Sequence, residues 1–159
     1  MKNTKHRAQA IAMVGAFTIL SACAAHQSQP VHYYSNGTDL PFSEAVQVDD
    51  MLYLSGQIGV APGTTSLVPG GMEAEARQTM DNIGSVLARR NLDFDAVVKC
   101  TIMLADMADW PAFNDIYVEY FKPGRLPARS AFASSGLAYG GKLEVECWAH
   151  TSAQHSLKE

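Results

Sequence analysis

Apolar residues recur along this chain with two periods, one suited to helices and one to strands, and segments of the two kinds alternate. From Ser43, Ala45 and Gln47 alternate with Val46 and Val48, and Met51-Leu52-Tyr53-Leu54-Ser55 is then almost wholly apolar. Asp49-Asp50 between the two runs predicts a hairpin whose second strand is the more buried. Gly56 and Gly59 flank Gln57-Ile58 at its end. Glycines there suit close approach of the backbone to a ligand, or equally a bulge or strand terminus. Residues 61–71, rich in Gly and Pro, predict a loop.

Ala76, Met80, Ile83 and Leu87 repeat at i, i+4, i+7 and i+11, which predicts a helix over Met72 to Arg90 with acids at its start and arginines at its end. Val97 to Leu104 predicts a buried strand. A second helix follows, with Asp109 as its N-cap, Pro111 in its first turn, and Phe113, Ile116, Tyr117, Tyr120 and Phe121 along one side. That stripe reads as core rather than as a cofactor box. Leu126 to Phe132 predicts the next strand, residues 136–141 a turn, and Leu143 to His150 the last strand, in which Glu144, Glu146 and Trp148 alternate with Leu143, Val145, Cys147 and Ala149. Strand-helix-strand units require crossover connections, so the expectation is an α+β domain: a mixed sheet of the six-stranded type with both helices on one face. Large apolar residues on the other face then call for a closed oligomer.

Two ends stand apart from this pattern. Lys2, Lys5, His6 and Arg7 precede an apolar run from Ala8 to Leu20, and Leu20-Ser21-Ala22-Cys23 follows. Spanning a bilayer takes roughly 20 apolar residues, so the run reads as an export signal over residues 1–22. The residues before Cys23 resemble a bacterial lipobox, which implies cleavage before Cys23 and lipidation of it; Ala24 in place of Asp resembles the outer-membrane sorting pattern. The expected location is the cell envelope, facing the periplasm, with the membrane reached through the lipid anchor alone. Residues 23–33 read as the lipidated cysteine and a polar tether, 34–152 as the domain, and 153–159 as a tail. Losing Lys2, Lys5 and Arg7 with the signal leaves nine Lys and Arg against 16 Asp and Glu, a net charge of −7. No basic cluster is present, which argues against a nucleic-acid partner. The histidines, His6, His26, His32, His150 and His155, lack metal-ligand spacing. Cys100 and Cys147 both fall in predicted strands, and the expectation is two buried unpaired thiols rather than a bridge, although an oxidising compartment permits one.

The candidate chemistry centres on Arg129, in Leu126-Pro127-Ala128-Arg129-Ser130-Ala131-Phe132. A cation in a small, apolar strand needs an anionic partner, from the protein or from a substrate, because an unpaired buried charge costs several kcal/mol or more. A mutual buried ion pair between Arg129 and Glu144 that only fixes the interface is the alternative.

Five motifs, in order and suitably spaced, carry a resemblance: Ser55-Gly56-Gln57-Ile58, residues 76–83 (Ala-Arg-Gln-Thr-Met-Asp-Asn-Ile), Val97-Val98-Lys99-Cys100-Thr101, Pro127-Ala128-Arg129-Ser130 and Leu143-Glu144-Val145-Glu146-Cys147. Over about residues 41–150 the chain resembles the RidA/YjgF family of reactive intermediate deaminases. The resemblance implies a chorismate-mutase-like homotrimer with clefts between subunits. It implies hydrolysis of 2-imino and enamine acids such as 2-aminoacrylate to 2-oxo acids and ammonia, without metal or cofactor. Arg129 would hold the substrate carboxylate and Glu144 would activate water, while Gly56, Asn114, the Ala131 main chain and Phe42 match positions lining the cleft. Phe42 stands where a tyrosine is common, and Leu137-Ala138 where leucine-proline is usual, which resembles a sister subgroup with a drier pocket. The competing expectation is a non-catalytic module of the envelope that captures small carboxylates or contacts other proteins.

Overall fold

The computed structural model describes residues 30–37 and 39–152. It contains strands β1 (His32–Tyr34), β2 (Ala45–Val48) and β3 (Met51–Leu54), helix α1 (Gly71–Ala88), strand β4 (Val97–Leu104), helix α2 (Trp110–Tyr117), and strands β5 (Ala128–Ala133) and β6 (Leu143–His150). The signal segment, Cys23 and the tail 153–159 lie outside the described residues. No described helix is long and apolar enough to cross a membrane.

One mixed sheet runs in the order β1-β2-β3-β6-β4-β5. All neighbours are antiparallel except β4 and β5, which are joined through α2 and run parallel. β6, last in the chain, is inserted between β3 and β4. Alternation along each strand then sorts the side chains. Leu52 and Leu54 of β3, Cys100, Ile102 and Leu104 of β4, and Leu143, Val145, Cys147 and Ala149 of β6 are buried beneath α1 and α2. Ala76, Met80, Ile83 and Leu87 of α1 and Phe113, Ile116 and Tyr117 of α2 meet them from the other side. The opposite face keeps Tyr53, Phe132 and Trp148 partly exposed.

β1 is an addition to the expected elements. His32 pairs with Gln47 and Tyr34 with Ala45, so the tether expected up to Tyr33 gives way to sheet at His32. Three edge residues carry too little periodicity to announce a strand, and the partner β2 supplies the order. Tyr34 Oη donates to Gln47 Oε1 at 2.8 Å, and the Arg90 guanidinium lies 4.2 Å from the Tyr34 ring centre.

The helix ends also differ from expectation. α1 stops at Ala88, so Arg89 and Arg90 lie just past it and both pair with Glu44. Asp109 precedes α2 but makes no side-chain cap; Asp106 instead accepts the Ala108 N–H at 2.8 Å and caps the short turn leading into α2. Gly59 serves packing: a Cβ there would stand 2.7 Å from Glu75 Cα, so glycine lets the end of the hairpin touch α1.

The two strand cysteines are bridged, contrary to the expectation of free thiols. Cys100 and Cys147 are direct partners across β4 and β6, fully buried, with Cα atoms 4.2 Å apart. Their pairing depends on β6 being inserted beside β4 in this register, which is not written in the stretch between them, a sequence separation of 47. Closing a loop of that length stabilises the fold by about 4 kcal/mol on a chain-entropy account. In denatured protein, Cys100 and Cys147 should alkylate only after reduction, as mass spectrometry would show. The Cys100→Ala/Cys147→Ala double variant should lose roughly 2–4 kcal/mol in a denaturant titration.

Candidate functional site

The register places Arg129 and Glu144 on opposite faces of the sheet. Arg129 lies beside Cys100, whose side chain points under the helices, whereas Glu144 lies beside Met103, three residues on and therefore facing the other way. With β4 between their strands, two strand spacings of roughly 10 Å also separate them. Within one chain they neither meet nor form an ion pair.

On the helix face, the Arg129 guanidinium carbon lies 5.1 Å from the Trp110 ring centre and 4.9 Å from that of Tyr117. α2 begins and ends with these two residues, seven apart and so on one side of the helix. Tyr117 Oη and Asn114 Oδ1, from the same helix, are buried and make no hydrogen bond to any described residue. Burial pushes the Tyr117 hydroxyl up to about 12, against a smaller opposing effect of the Arg129 charge. Ala131 pairs with Ile102 and packs against the core, leaving its main chain on the edge strand.

Glu144 lies on the face away from the helices. A Cβ on Gly56 would stand 1.9 Å from Glu144 Oε1, so the carboxylate rests directly on a glycine that no other residue could replace without displacing it. The Gly56 segment is fastened on both sides. Gln57 and Val145 exchange two backbone hydrogen bonds of 2.9 Å, and Asn82 of α1 donates to the carbonyls of Ile58 at 2.9 Å and Val60 at 3.0 Å. Ser55 Oγ donates to the Ser43 carbonyl at 2.7 Å, tying in the segment that carries Phe42, which is 53% exposed. Partial burial, and secondarily the neighbouring Glu146, raise the Glu144 carboxyl above the usual carboxylate range.

Sequence reasoning missed Trp110 as a neighbour of Arg129 and assigned Tyr117 to the core alone. Their seven-residue spacing was the available signal. A crevice of about 460 Å³, lined by Tyr34, Asn36, Glu44, Arg89 and Arg90 among others, lies at the β1 edge, away from Arg129 on β5. Its Glu44 is already paired with both arginines.

Residues 36–151 match the family model described as Endoribonuclease L-PSP. The chain belongs to this family, which is the RidA/YjgF family. A mouse (Mus musculus) relative, 2-iminobutanoate/2-iminopropanoate deaminase, is 47% identical over 106 residues, covering 67% of this chain and 78% of that one. RidA from an Antarctic Psychrobacter is 31% identical with a TM-score of 0.67, covering 71% of this RidA-family chain and 90% of the other. Yeast Mmf1 is 30% identical, with a TM-score of 0.67 and coverage of 78% and 98%.

The raised Glu144 carboxyl has a consequence for stability. Folding favours its protonated form, so the associated stability is complete below the unfolded value near 4.3 and is lost as pH rises through the higher folded value. Glu144→Gln should therefore melt higher than the unaltered protein at pH 7, and the gain should vanish at about pH 4, as paired thermal melts would show.

Proposed function

We propose that this RidA-family protein hydrolyses 2-imino acids to 2-oxo acids and ammonia in clefts between the subunits of a homotrimer. The observation that carries the reading is the division of Arg129 and Glu144 between the two faces of one sheet. Each chain then offers two half-sites, and the helix-side half of one protomer completes the Glu144 half of the next. The partly exposed apolar side chains Tyr53, Phe132 and Trp148 on the uncovered face support burial against other copies. The named activity of the mouse relative supports the chemistry.

In this reading the planar guanidinium of Arg129 takes the substrate carboxylate through paired N–H bonds and fixes the adjacent C=N carbon. Glu144, its proton affinity raised by burial, accepts a proton from water as the water oxygen bonds to that carbon. The C=N π electrons pass to nitrogen. The substrate being the protonated imine, this leaves a neutral amino alcohol; Glu144 returns its proton to the amine nitrogen, and as the C–N bond breaks the hydroxyl proton passes to the departing ammonia. The products are a 2-oxo acid and ammonium, with Glu144 again a carboxylate. Gly56, Asn114, Ala131 and Phe42 shape the cleft.

We also place the protein in the cell envelope, held by lipid on Cys23 after cleavage of residues 1–22. The Cys100–Cys147 bridge supports that compartment, since disulfides persist where the surroundings are oxidising. The same location favours a second reading, a trimer that binds small carboxylates without turning them over.

Imines generated by an amino-acid oxidase decide between them, with 2-oxo acid release timed. Arg129→Ala should lower kcat/KM by roughly 100-fold, the loss expected for a charge-assisted contact. Glu144→Gln should lower kcat by roughly 100-fold or more. Gly56→Ala should cost activity on a similar scale with little change in melting temperature, because only the flexible Glu144 side chain must move. No acceleration by the unaltered protein would leave the binding reading. Feeding cells a fatty-acid analogue should label the protein at Cys23, and Cys23→Ser should abolish both label and membrane association.

A further inference from the structure

The described arginines are held in two different ways. Arg77 pairs with Glu119 and Glu73, Arg89 and Arg90 pair with Glu44, and Arg125 approaches Asp95 at 3.7 Å. Among the described arginines, Arg129 alone has no carboxylate partner within its chain. Its neighbours are the rings of Trp110 and Tyr117, at 5.1 and 4.9 Å from the guanidinium carbon. A carboxylate would hold the guanidinium by occupying its N–H edge and cancelling its charge. An aromatic face holds it through the ring quadrupole, leaving both charge and N–H donors available.

We infer that Trp110 and Tyr117 are positioning residues that seat the Arg129 guanidinium between two ring faces and so set the affinity of the site for small 2-imino and 2-oxo carboxylates. The arrangement is rigid where it needs to be. Tyr117 is 3% exposed and packs against Phe113 and Phe121, at ring separations of 5.5 and 4.7 Å. Trp110 is half-buried at the other end of the same two-turn helix. Because both rings sit on α2, the helix fixes them relative to each other, and the arginine on the edge strand takes its position from the helix rather than from a counter-ion. Ordering the side chain beforehand lowers the entropy lost when the carboxylate binds.

The inference rests on the proposed carboxylate site but not on turnover there. The probe is 2-oxobutanoate, bound to the full-length protein and followed by titration calorimetry, alongside imine hydrolysis. Trp110→Met fills the space without a ring face and should weaken 2-oxobutanoate binding and raise KM by about 10-fold, with kcat changed less than 3-fold. Trp110→Phe should recover binding to within about 3-fold of the unaltered protein. Tyr117→Phe, which keeps its ring, should bind like the unaltered protein. A packing role alone predicts a lower melting temperature with KM unchanged in Trp110→Met, and that result would overturn the inference. So would equal losses in Trp110→Met and Trp110→Phe, or no 2-oxobutanoate binding by the unaltered protein. Binding that follows the expected order without imine hydrolysis would reject the hydrolase reading and uphold the aromatic seat.

Discussion

A strand sends successive side chains to opposite faces, and in this protein that alternation separates the two groups on which the proposed chemistry depends. β4 carries the partition. Its register with β5 puts Arg129 under the helices beside Cys100, and its register with β6 turns Glu144 to the uncovered face beside Met103. A slip of one residue in either pairing would bring the two groups to one face, but would also expose the apolar rows that make the core. The hydrophobic requirement thus fixes the polar geometry. In the proposed reading one chain holds two incomplete halves, and a second copy is the economical complement.

Each half is held by different means. Glu144 rests on Gly56, in a backbone segment pinned by Asn82 from α1 and by paired bonds to Val145. Removing the Cβ at position 56 lets a carboxylate sit where it is partly shielded from water, and the shielding raises its proton affinity. Arg129 instead lies on an edge strand and takes its orientation from two aromatic rings of α2. Glycine gives room to an anion, and rings give support to a cation without neutralising it. Both arrangements leave the charge free for the ligand of the proposed site.

Most of the elements could be read from the chain before any coordinates. Periodicity identified the hairpin, α1, β4, α2 and β6, because each buries a continuous apolar stripe against the same core. β1 escaped because three residues at a sheet edge have no stripe of their own, only a partner in β2. The motifs around Gly56, Arg129 and Glu144 pointed to the candidate site by residue type. What they left open was arrangement: whether Arg129 and Glu144 touch, which arginines are already paired, and whether two thiols 47 positions apart lie on one rung. Gly56 and Gly59 illustrate the limit, since both read alike in sequence yet one accommodates a carboxylate and the other a helix.

The sequence by itself determined the α+β architecture and the candidate residues, because apolar spacing and residue chemistry are local properties of the chain. Tertiary structure decided which of those residues share a face. It inserted β6 between β3 and β4, joining Cys100 to Cys147 and turning Glu144 away from Arg129, and it packed α2 so that Trp110 and Tyr117 lie over the arginine. The physical reason is that strand order and register follow from burying all the apolar stripes together, a condition on the whole core that no single segment contains.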